Sequence, residues 1–327
     1  MRVGVYRAYA VNDSDRMTYQ AASGDGIEFD WIADPNTTEP QVLAAGYDAV
    51  DVADPCYQWA WEICEQHPCP ILTVWENLPW NMLPSQWRRC FDLAKLVVFR
   101  SPLAMYSGIE MGCPPEKAIV IPAGVDTEKF VPYTKPGGIV LYAGRMVWQK
   151  GIFDLIMASA GQPWKLIMAG GGEQLEEAQT WAAALGMSNI EFLGPIPHAE
   201  MPAIYGVADV FCYPSCPTPG WQEQYGIGVL EAAAAGCKII LSEQNVFRWL
   251  GELFRVDAYV PPGDWMRLRY WIGELLARPP YTVRDEWNKR QRNLGLMPLP
   301  TGMEKVSSEA VGKMLREAYG KLVAVGV

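Results

Sequence analysis

Short apolar runs alternate with longer amphipathic stretches along most of this 327-residue chain, and the alternation limits the folds open to it. Runs typical of β-strands lie at 3–6, 27–32, 49–52, 71–74, 96–99, 118–122, 139–142, 166–169, 190–193, 210–213 and 238–241. Stretches with helical periodicity lie at 59–65, 102–111, 152–160, 175–185, 201–206, 228–235, 265–277 and 307–322. A strand followed by a helix, repeated, forms right-handed βαβ units on a parallel sheet. The pattern therefore predicts an α/β fold built on parallel sheets.

A Pro- and Gly-rich segment at 131–138 interrupts the alternation. Such segments are typical of linkers, and the chain is long enough for two cores of ordinary size. We therefore predict an N-terminal Rossmann-like domain over 1–131 and a C-terminal one over 138–277. The remainder, 278–327, begins as a polar, Pro-containing surface connection. We expect its closing helix to return to the first domain.

Composition excludes some classes of partner. Half of the residues are apolar and a fifth are charged, which is typical of a globular protein. The formal net charge of −10 argues against broad nucleic-acid binding, because that mode relies on clustered Lys and Arg. The charge does not indicate membrane association either, although a local basic face can exist within a negative total.

The opening residues and the cysteines suggest a cytoplasmic protein. Residues 1–6 carry an early charge and then alternate like a strand, unlike a secretory leader. No apolar run approaches the roughly eighteen residues of a membrane span. The eight cysteines follow no framework spacing, and a chain of this size needs no disulfides. We expect them to be reduced.

Two sequence features superficially resemble metal sites. Cys64, His67 and Cys69, with Cys56 nearby, can in principle hold zinc, but the paired C-x2-C spacing is missing. Buried thiols and a loop histidine are the favoured interpretation. The Asp-Ser-Asp triplet at 13–15 matches a metal motif of another transferase fold, yet such residues after a strand commonly cap a helix. We expect neither a metal nor a cofactor.

A short loop after the strand at 139–142 contains two cations, Arg145 and Lys150. Gly144 and Gly151 permit close backbone approach, and a helix beginning near Ile152 offers free N–H groups. A diphosphate placed there meets two positive charges and a helix N-terminus. A solvated basic turn is the alternative interpretation.

A second turn, Gly170 to Gly172, also follows a strand. It lacks the G-x-G-x-x-G order of a dinucleotide fingerprint. Its glycines serve either a tight turn or backbone contact with a nucleotide, and both interpretations stay open here.

Two glutamates eight positions apart, Glu223 and Glu231, are the most specific feature. Glu231 falls in the first turns of a helix, where a carboxylate is favoured and can accept two ribose hydroxyls. Glu223 precedes a Tyr-Gly turn and can project from a loop toward a sugar. The alternative is one capping carboxylate and one surface carboxylate.

At this point the chain resembles the retaining family 4 glycosyltransferases of the GT-B fold. The resemblance extends over nearly the whole chain. It rests on segments in the expected order: Ile121 to Asp126 with Phe130 to Pro132, Gly144 to Gly151, Phe192 to Gly194, Ala208 to Ser215, Glu223 to Glu231 (an EX7E motif), and Val260 to Asp264. It implies two Rossmann-like domains facing across a cleft, the first for the acceptor and the second for the donor.

The resemblance also implies residue roles. Arg145 and Lys150, next to Gly144, would bind the donor diphosphate and stabilise it as it leaves. Glu231 would hold the ribose, and Glu223 would contact the transferred sugar. The backbone N–H groups of Tyr225, Gly226 and Ile227 would approach the sugar and the phosphates of the donor.

The acceptor half departs from the family pattern. Many members carry a histidine after the fourth strand, whereas Trp75 and Glu76 occupy that stretch. Neither of the two histidines, His67 and His198, matches it. Trp75 can stack on an acceptor ring and Glu76 can accept a proton; equally, the Trp can pack between domains and the Glu can cap a helix. Further aromatics enrich this half, and we expect most of them in the core: Tyr57, Trp59, Trp61, Trp80 and Trp87.

We therefore predict a metal-independent, retaining hexosyltransferase. It would move a sugar from a UDP- or GDP-sugar to a hydroxyl of a glycan, lipid or small molecule. A GT-B nucleotide-sugar epimerase and a non-catalytic nucleotide-sugar-binding protein are the alternatives. An NAD-dependent dehydrogenase is disfavoured because the chain lacks the glycine fingerprint of that class.

Overall fold

The computed structural model describes residues 1–7, 13–33, 46–53, 63–67, 69–74, 84–219, 221–279 and 303–324. The chain divides into two compact units. The first comprises Met1–Val125 and Val306–Val327, and the second comprises Asp126–Lys305. Each unit contains one parallel sheet of six strands.

The first sheet has the order β2-β1-β3-β4-β5-β6, and every pairing in it is parallel. Its strands are β1 (Arg2–Arg7), β2 (Glu28–Ala33), β3 (Ala49–Ala53), β4 (Pro70–Val74), β5 (Leu96–Phe99) and β6 (Ala118–Val120). β4 and β5 are buried along their whole length, as expected for central strands covered on both faces.

The second sheet has the order β12-β11-β10-β7-β8-β9, again entirely parallel. Its strands are β7 (Ile139–Ala143), β8 (Lys165–Ala169), β9 (Ile190–Gly194), β10 (Val210–Tyr213), β11 (Lys238–Ser242) and β12 (Ala258–Val260). The chain moves outward from β7 to β9, then returns to place β10 on the other side of β7. This reversal creates a topological switch point between β7 and β10.

Helices connect most of these strands. They are α1 (Asp13–Ala22), α2 (Pro84–Leu93), α3 (Pro102–Glu110), α4 (Ile152–Ser159), α5 (Leu175–Ala184), α6 (Met201–Val207), α7 (Ile227–Ala234), α8 (Asn245–Leu253), α9 (Trp265–Ala277) and α10 (Ser308–Ala324). None of the described helices is both long and apolar enough to cross a bilayer.

Helix α10 packs against α1 in the first unit. A Cβ on Gly312 would lie 2.8 Å from the backbone of Ala21 and Ala22, so the two helices cross closely. Val311 and Leu315 of α10 join the same buried cluster as the strand residues of this unit. Burial of this apolar face holds the end of the chain onto the first sheet.

A buried carboxylate links α10 to the rest of the first unit. Asp51 of β3 is fully buried. Its Oδ2 accepts hydrogen bonds of 2.5 Å from the hydroxyls of Tyr19 and Tyr319, and its Oδ1 accepts one of 2.7 Å from Thr73. These three donors come from α1, α10 and β4. The network satisfies a charge that would otherwise be costly to bury.

The predicted α/β fold with two parallel sheets is confirmed. The predicted bounds of β5, β10 and α9 match the structure, and most others agree within two residues. The structure also contains four elements that the sequence pattern did not predict: helices α1, α2 and α8 and strand β12. Trp87 of α2 is fully buried in the core, as expected, whereas the predicted core residues Tyr57, Trp59, Trp61 and Trp80 lie outside the described residues.

Candidate functional site

The candidate site lies at the carboxyl end of the second sheet. β7 ends at Ala143, β10 at Tyr213 and β11 at Ser242. Because these neighbouring strands are parallel, the loops that follow them meet at one edge, beside the switch point. Those loops carry the cations and the first glutamate singled out in the sequence.

The cation loop turns sharply after β7. Tyr142 donates its hydroxyl hydrogen bond to the carbonyl of Arg145 over 2.7 Å, and the side chain of Arg145 is exposed. A 3₁₀ turn, Trp148–Lys150, ends at Gly151 with φ +68°. A Cβ on Gly151 would lie 2.1 Å from the carbonyl oxygen of Pro214. Only glycine allows this backbone contact between the loops after β7 and β10.

Lys150 and Glu223 form a buried ion pair. Nζ of Lys150 lies 2.5 Å from Oε2 of Glu223, and the two residues are 6% and 5% exposed. Nζ also donates to the hydroxyl of Tyr213 over 3.0 Å. Burial lowers the pKa of Lys150, the Glu223 carboxylate opposes that shift, and the charge of Arg145 adds to it. The basic-turn alternative is therefore wrong for Lys150.

Glu223 is fixed by a polar network. The hydroxyl of Ser215 donates to its Oε2 over 3.0 Å. Gln244 donates to the carbonyl of Ser215 over 2.9 Å and to the hydroxyl of Ser242 over 2.8 Å. These bonds connect the ends of β10 and β11 and leave the carboxylate little rotational freedom. The surface-carboxylate alternative is wrong for Glu223.

Two aromatic rings flank the ammonium of Lys150. Its Nζ lies 5.0 Å from the ring centroid of Tyr213 and 5.0 Å from that of Trp221. Both distances lie in the range of cation–π attraction. Trp221 is half-buried, so its indole separates the ion pair from solvent only in part.

Trp221 belongs to the segment 216–222, which directly precedes Glu223. The segment is anchored where Cys216 donates its backbone N–H to the carbonyl of Gln149 over 2.7 Å. Thr218 and Trp221 pair through backbone hydrogen bonds of 2.8 and 3.0 Å. Burial, together with nearby Asp154, raises the pKa of the Cys216 thiol to about 11. The raised pKa favours the protonated thiol near neutrality.

Helix α7 begins directly after Glu223 and its turn. Tyr225 is buried, and its ring lies 5.8 Å from that of Trp249 in an edge-to-face arrangement. Gly226 is the N-cap, and Ile227 is half-buried. The first N–H groups of a helix lack intrahelical acceptors and attract anions. The turn thus places an anion-binding element next to the ion pair.

Glu231 of α7 has a partner that sequence reasoning missed. Nε2 of His198 lies 2.7 Å from Oε1 of Glu231. Glu231 is 5% exposed. Burial and the Glu231 charge raise the pKa of Tyr205 well above its ordinary value. The sequence offers no signal for the His198 contact, because the two residues are 33 positions apart.

The glycine turn after β8 supports the cation loop. A Cβ on Gly170 would lie 1.9 Å from the carbonyl oxygen of Gly144. Met146 donates its backbone N–H to the carbonyl of Gly171 over 2.8 Å. The tight-turn interpretation is therefore sufficient to explain the glycine at position 170, since a side chain there would clash with the backbone of the cation loop.

The remaining candidates lie elsewhere. Trp75 and Glu76, the acceptor-side candidates, fall outside the described residues, as does Cys56. His67 accepts the N–H of Cys69 at Nδ1 over 3.0 Å, and its Nε2 lies 3.0 Å from a backbone carbonyl oxygen. Among the residues that the structure describes, no cluster of three or more His, Cys, Asp or Glu can hold a metal.

Comparison with known proteins identifies the family of this chain. Residues 126–293 match the family model described as glycosyl transferases group 1. A GDP-mannose-dependent alpha-(1-6)-phosphatidylinositol monomannoside mannosyltransferase of Mycolicibacterium smegmatis is 28% identical over 257 residues, 68% of this chain and 67% of that protein. A phosphatidyl-myo-inositol mannosyltransferase of Mycobacterium leprae is 31% identical over 159 residues. The 159 aligned residues make up 45% of this chain and only 41% of the length of that relative.

The fold has solved counterparts. The crystal structure of Anabaena Alr3699/HepE in complex with UDP-glucose superposes with a TM-score of 0.67 at 16% identity, covering 99% of both chains. At this identity the likeness concerns the fold alone. It confirms the GT-B architecture expected from the sequence.

Proposed function

The chain belongs to the glycosyl transferases group 1 family, and on that premise we propose that it moves a sugar from a nucleoside diphosphate sugar to an acceptor hydroxyl. The observation that carries the proposal is the arrangement around α7. Glu223, which is paired with Lys150, lies in the loop just before α7. Glu231, which is paired with His198, lies in α7 itself. Carboxylates that can accept hydrogen bonds from hydroxyls and cations that can bind phosphate thus lie at the same end of one sheet.

Departure of the diphosphate requires positive charge in place before reaction. Arg145, Lys150 and the N–H groups at the start of α7 supply it, because preorganised dipoles and cations stabilise charge as it develops. Burial strengthens the Lys150 contribution by excluding water. We propose that these groups suffice, so that the reaction is metal-independent.

Recognition of the donor uses the two glutamates. Glu223, held by Lys150 and Ser215, contacts hydroxyls of the transferred sugar, and Glu231 holds the ribose. Ionised carboxylates accept hydrogen bonds only, so each favours a hydroxyl-bearing ligand. Backbone N–H groups of Tyr225, Gly226 and Ile227 approach the phosphates and the sugar.

Donor and acceptor classes follow from the relatives by analogy. A mannosyltransferase relative is named for GDP-mannose, and a structural neighbour was solved with UDP-glucose. We propose a UDP- or GDP-hexose as the donor, bound by the second unit, and a glycan, lipid or small-molecule hydroxyl as the acceptor, bound by the first. The inositol lipid named for the M. smegmatis relative is the acceptor to test first.

We propose retention of the anomeric configuration. As a hypothesis, the leaving phosphate accepts the acceptor proton on the face where the new bond forms, while Arg145 and Lys150 hold it there. Proton NMR of the first product formed gives the anomeric configuration. An inverted product would exclude this step.

A thermal-shift panel of UDP-, GDP- and ADP-sugars, followed by transfer assays, tests the function. A ligand that binds the native state raises its melting temperature, so one donor class should give a shift and then transfer its sugar. A new sugar isomer formed from donor alone would instead favour an epimerase. Binding with neither transfer nor donor hydrolysis across a broad acceptor panel would favour a non-catalytic binder. Absence of any shift would overturn the proposal.

A further inference from the structure

Glu231 is paired with a histidine of the second unit. Nε2 of His198, on the 3₁₀ turn His198–Glu200, lies 2.7 Å from its Oε1. Because a carboxylate is acceptor-only, Nε2 of His198 carries the proton of this bond. The carboxylate therefore has a defined orientation before any ligand arrives.

The imidazole is itself fixed by packing. Its ring centroid lies 5.7 Å from that of Phe130, and Phe130 lies 5.8 Å from Tyr205. Phe130 is almost fully buried, whereas the His198 side chain is 30% exposed. The imidazole is therefore packed beside Phe130 and presents Nε2 to the Glu231 carboxylate. A side chain held in this way can orient a neighbour without contacting the ligand.

Orientation matters because a carboxylate discriminates only when it is preorganised. Two adjacent ribose hydroxyls require both carboxylate oxygens in one plane at set distances, and a rotating side chain would meet that demand only part of the time. A hydrogen bond of 2.7 Å to an imidazole N–H limits that rotation.

We propose that His198 is a positioning residue for a ribose subsite: it orients Glu231 so that the carboxylate accepts the 2′- and 3′-hydroxyls of a nucleoside diphosphate. The inference rests on the proposed function and deepens it. It predicts that the site prefers ribonucleotides to 2′,3′-dideoxyribonucleotides and that this preference depends on His198.

Isothermal titration with UDP, GDP and ADP, and with their 2′,3′-dideoxy analogues, tests the proposal. His198→Ala should weaken binding of the ribonucleotide by about ten-fold, the usual effect of one lost charge-assisted hydrogen bond. Binding of the dideoxy analogue should change by less than about two-fold. His198→Gln keeps an N–H donor and should restore most of the loss.

Two further variants separate positioning from folding. Glu200 is exposed on the same 3₁₀ turn, so Glu200→Ala should leave both affinities unchanged. In a Glu231→Gln background, His198→Ala should add less than about two-fold, because its effect passes through Glu231. With a working transfer assay, His198→Ala should raise the donor KM while kcat stays near its original value.

The outcomes are distinct. Equal weakening of ribo- and dideoxynucleotide by His198→Ala, or no weakening of either, would overturn the positioning role and leave the transferase proposal intact. Failure of the wild-type protein to bind any of the three ribonucleotides would overturn both.

Discussion

Nζ of Lys150 lies 2.5 Å from Oε2 of Glu223, and 73 positions separate the two residues in the chain. The family resemblance implies that they contact different parts of a donor, Lys150 the diphosphate and Glu223 the sugar. In the folded protein they form one buried unit, closed by Tyr213 and Ser215. Without a ligand Lys150 is already paired, so the exposed Arg145 is the cation more accessible to an arriving phosphate.

Breaking this pair should be strongly destabilising. Lys150→Met leaves a buried carboxylate without its cation and should lower the free energy of unfolding by about 3–5 kcal/mol. The double variant Lys150→Met/Glu223→Gln should recover part of that loss, since no unpaired charge remains. Urea unfolding measures both. Lys165→Met, in the exposed pair with Glu191 at 2.5 Å, should change stability by less than about 1 kcal/mol. Equal effects at the two pairs would contradict the buried character of the first.

Trp221→Leu should lower the stability of the folded protein by removing an aromatic ring that flanks the Lys150 ammonium. The cation–π contact contributes about 0.5–2 kcal/mol, so the free energy of unfolding should fall by about that amount. The fold should remain intact because Trp221 is only half-buried. Trp181→Leu, at an exposed position on α5, is the control. Urea unfolding decides, and unchanged stability in Trp221→Leu would show that the contact contributes nothing.

Gly151→Ala should be far more disruptive than Gly161→Ala. Both glycines have φ +68°, but a Cβ on Gly151 would lie 2.1 Å from the carbonyl oxygen of Pro214, whereas nothing lies within 4 Å of one on Gly161. The shared backbone strain is about 1–2 kcal/mol. Thermal unfolding should show a loss of stability of only this size for Gly161→Ala, and a clearly larger loss of stability for Gly151→Ala. Matching losses would mean that the loops do not approach as described.

Stability should decline above pH 10. Burial, reinforced by Asp51, raises the pKa of Tyr319 well above its ordinary value of 10.0. The unfolded chain therefore loses this proton first, and the stabilisation that is complete below pH 10 falls by up to about 1.4 kcal/mol per pH unit above it. Urea unfolding from pH 9 to 11 should give a shallower decline for Tyr319→Phe. Tyr106→Phe, at a 62% exposed position, should keep the wild-type slope.

Transfer activity should persist in excess EDTA. The proposed chemistry relies on Arg145, Lys150 and the start of α7 for positive charge, so removal of divalent cations should change kcat by less than about two-fold. The assay needs dialysed enzyme and metal-free donor, with Mg²⁺ added back as the control. A large loss that Mg²⁺ restores would show that the diphosphate is neutralised by metal instead.

The arrangement of strands and helices was largely readable from local pattern. A buried strand such as β10 is a short apolar run because both of its faces are covered, and α9 shows the periodicity of a half-buried helix. The family resemblance likewise singled out Arg145, Lys150, Glu223 and Glu231. The roles that it implies for these four residues stay predictions, as do the acceptor-side roles of Trp75 and Glu76.

By itself, the sequence determined the α/β class, the order of the elements and the residue types available for binding phosphate and hydroxyls. Only the tertiary structure decided which of these side chains touch. The ion pair of Lys150 with Glu223 and the contact of His198 with Glu231 join segments that follow different strands. The physical reason is that β7 and β10 are neighbours in the sheet although β8 and β9 separate them in the chain. The partners of a buried charge are therefore set by topology and packing, which no local pattern records.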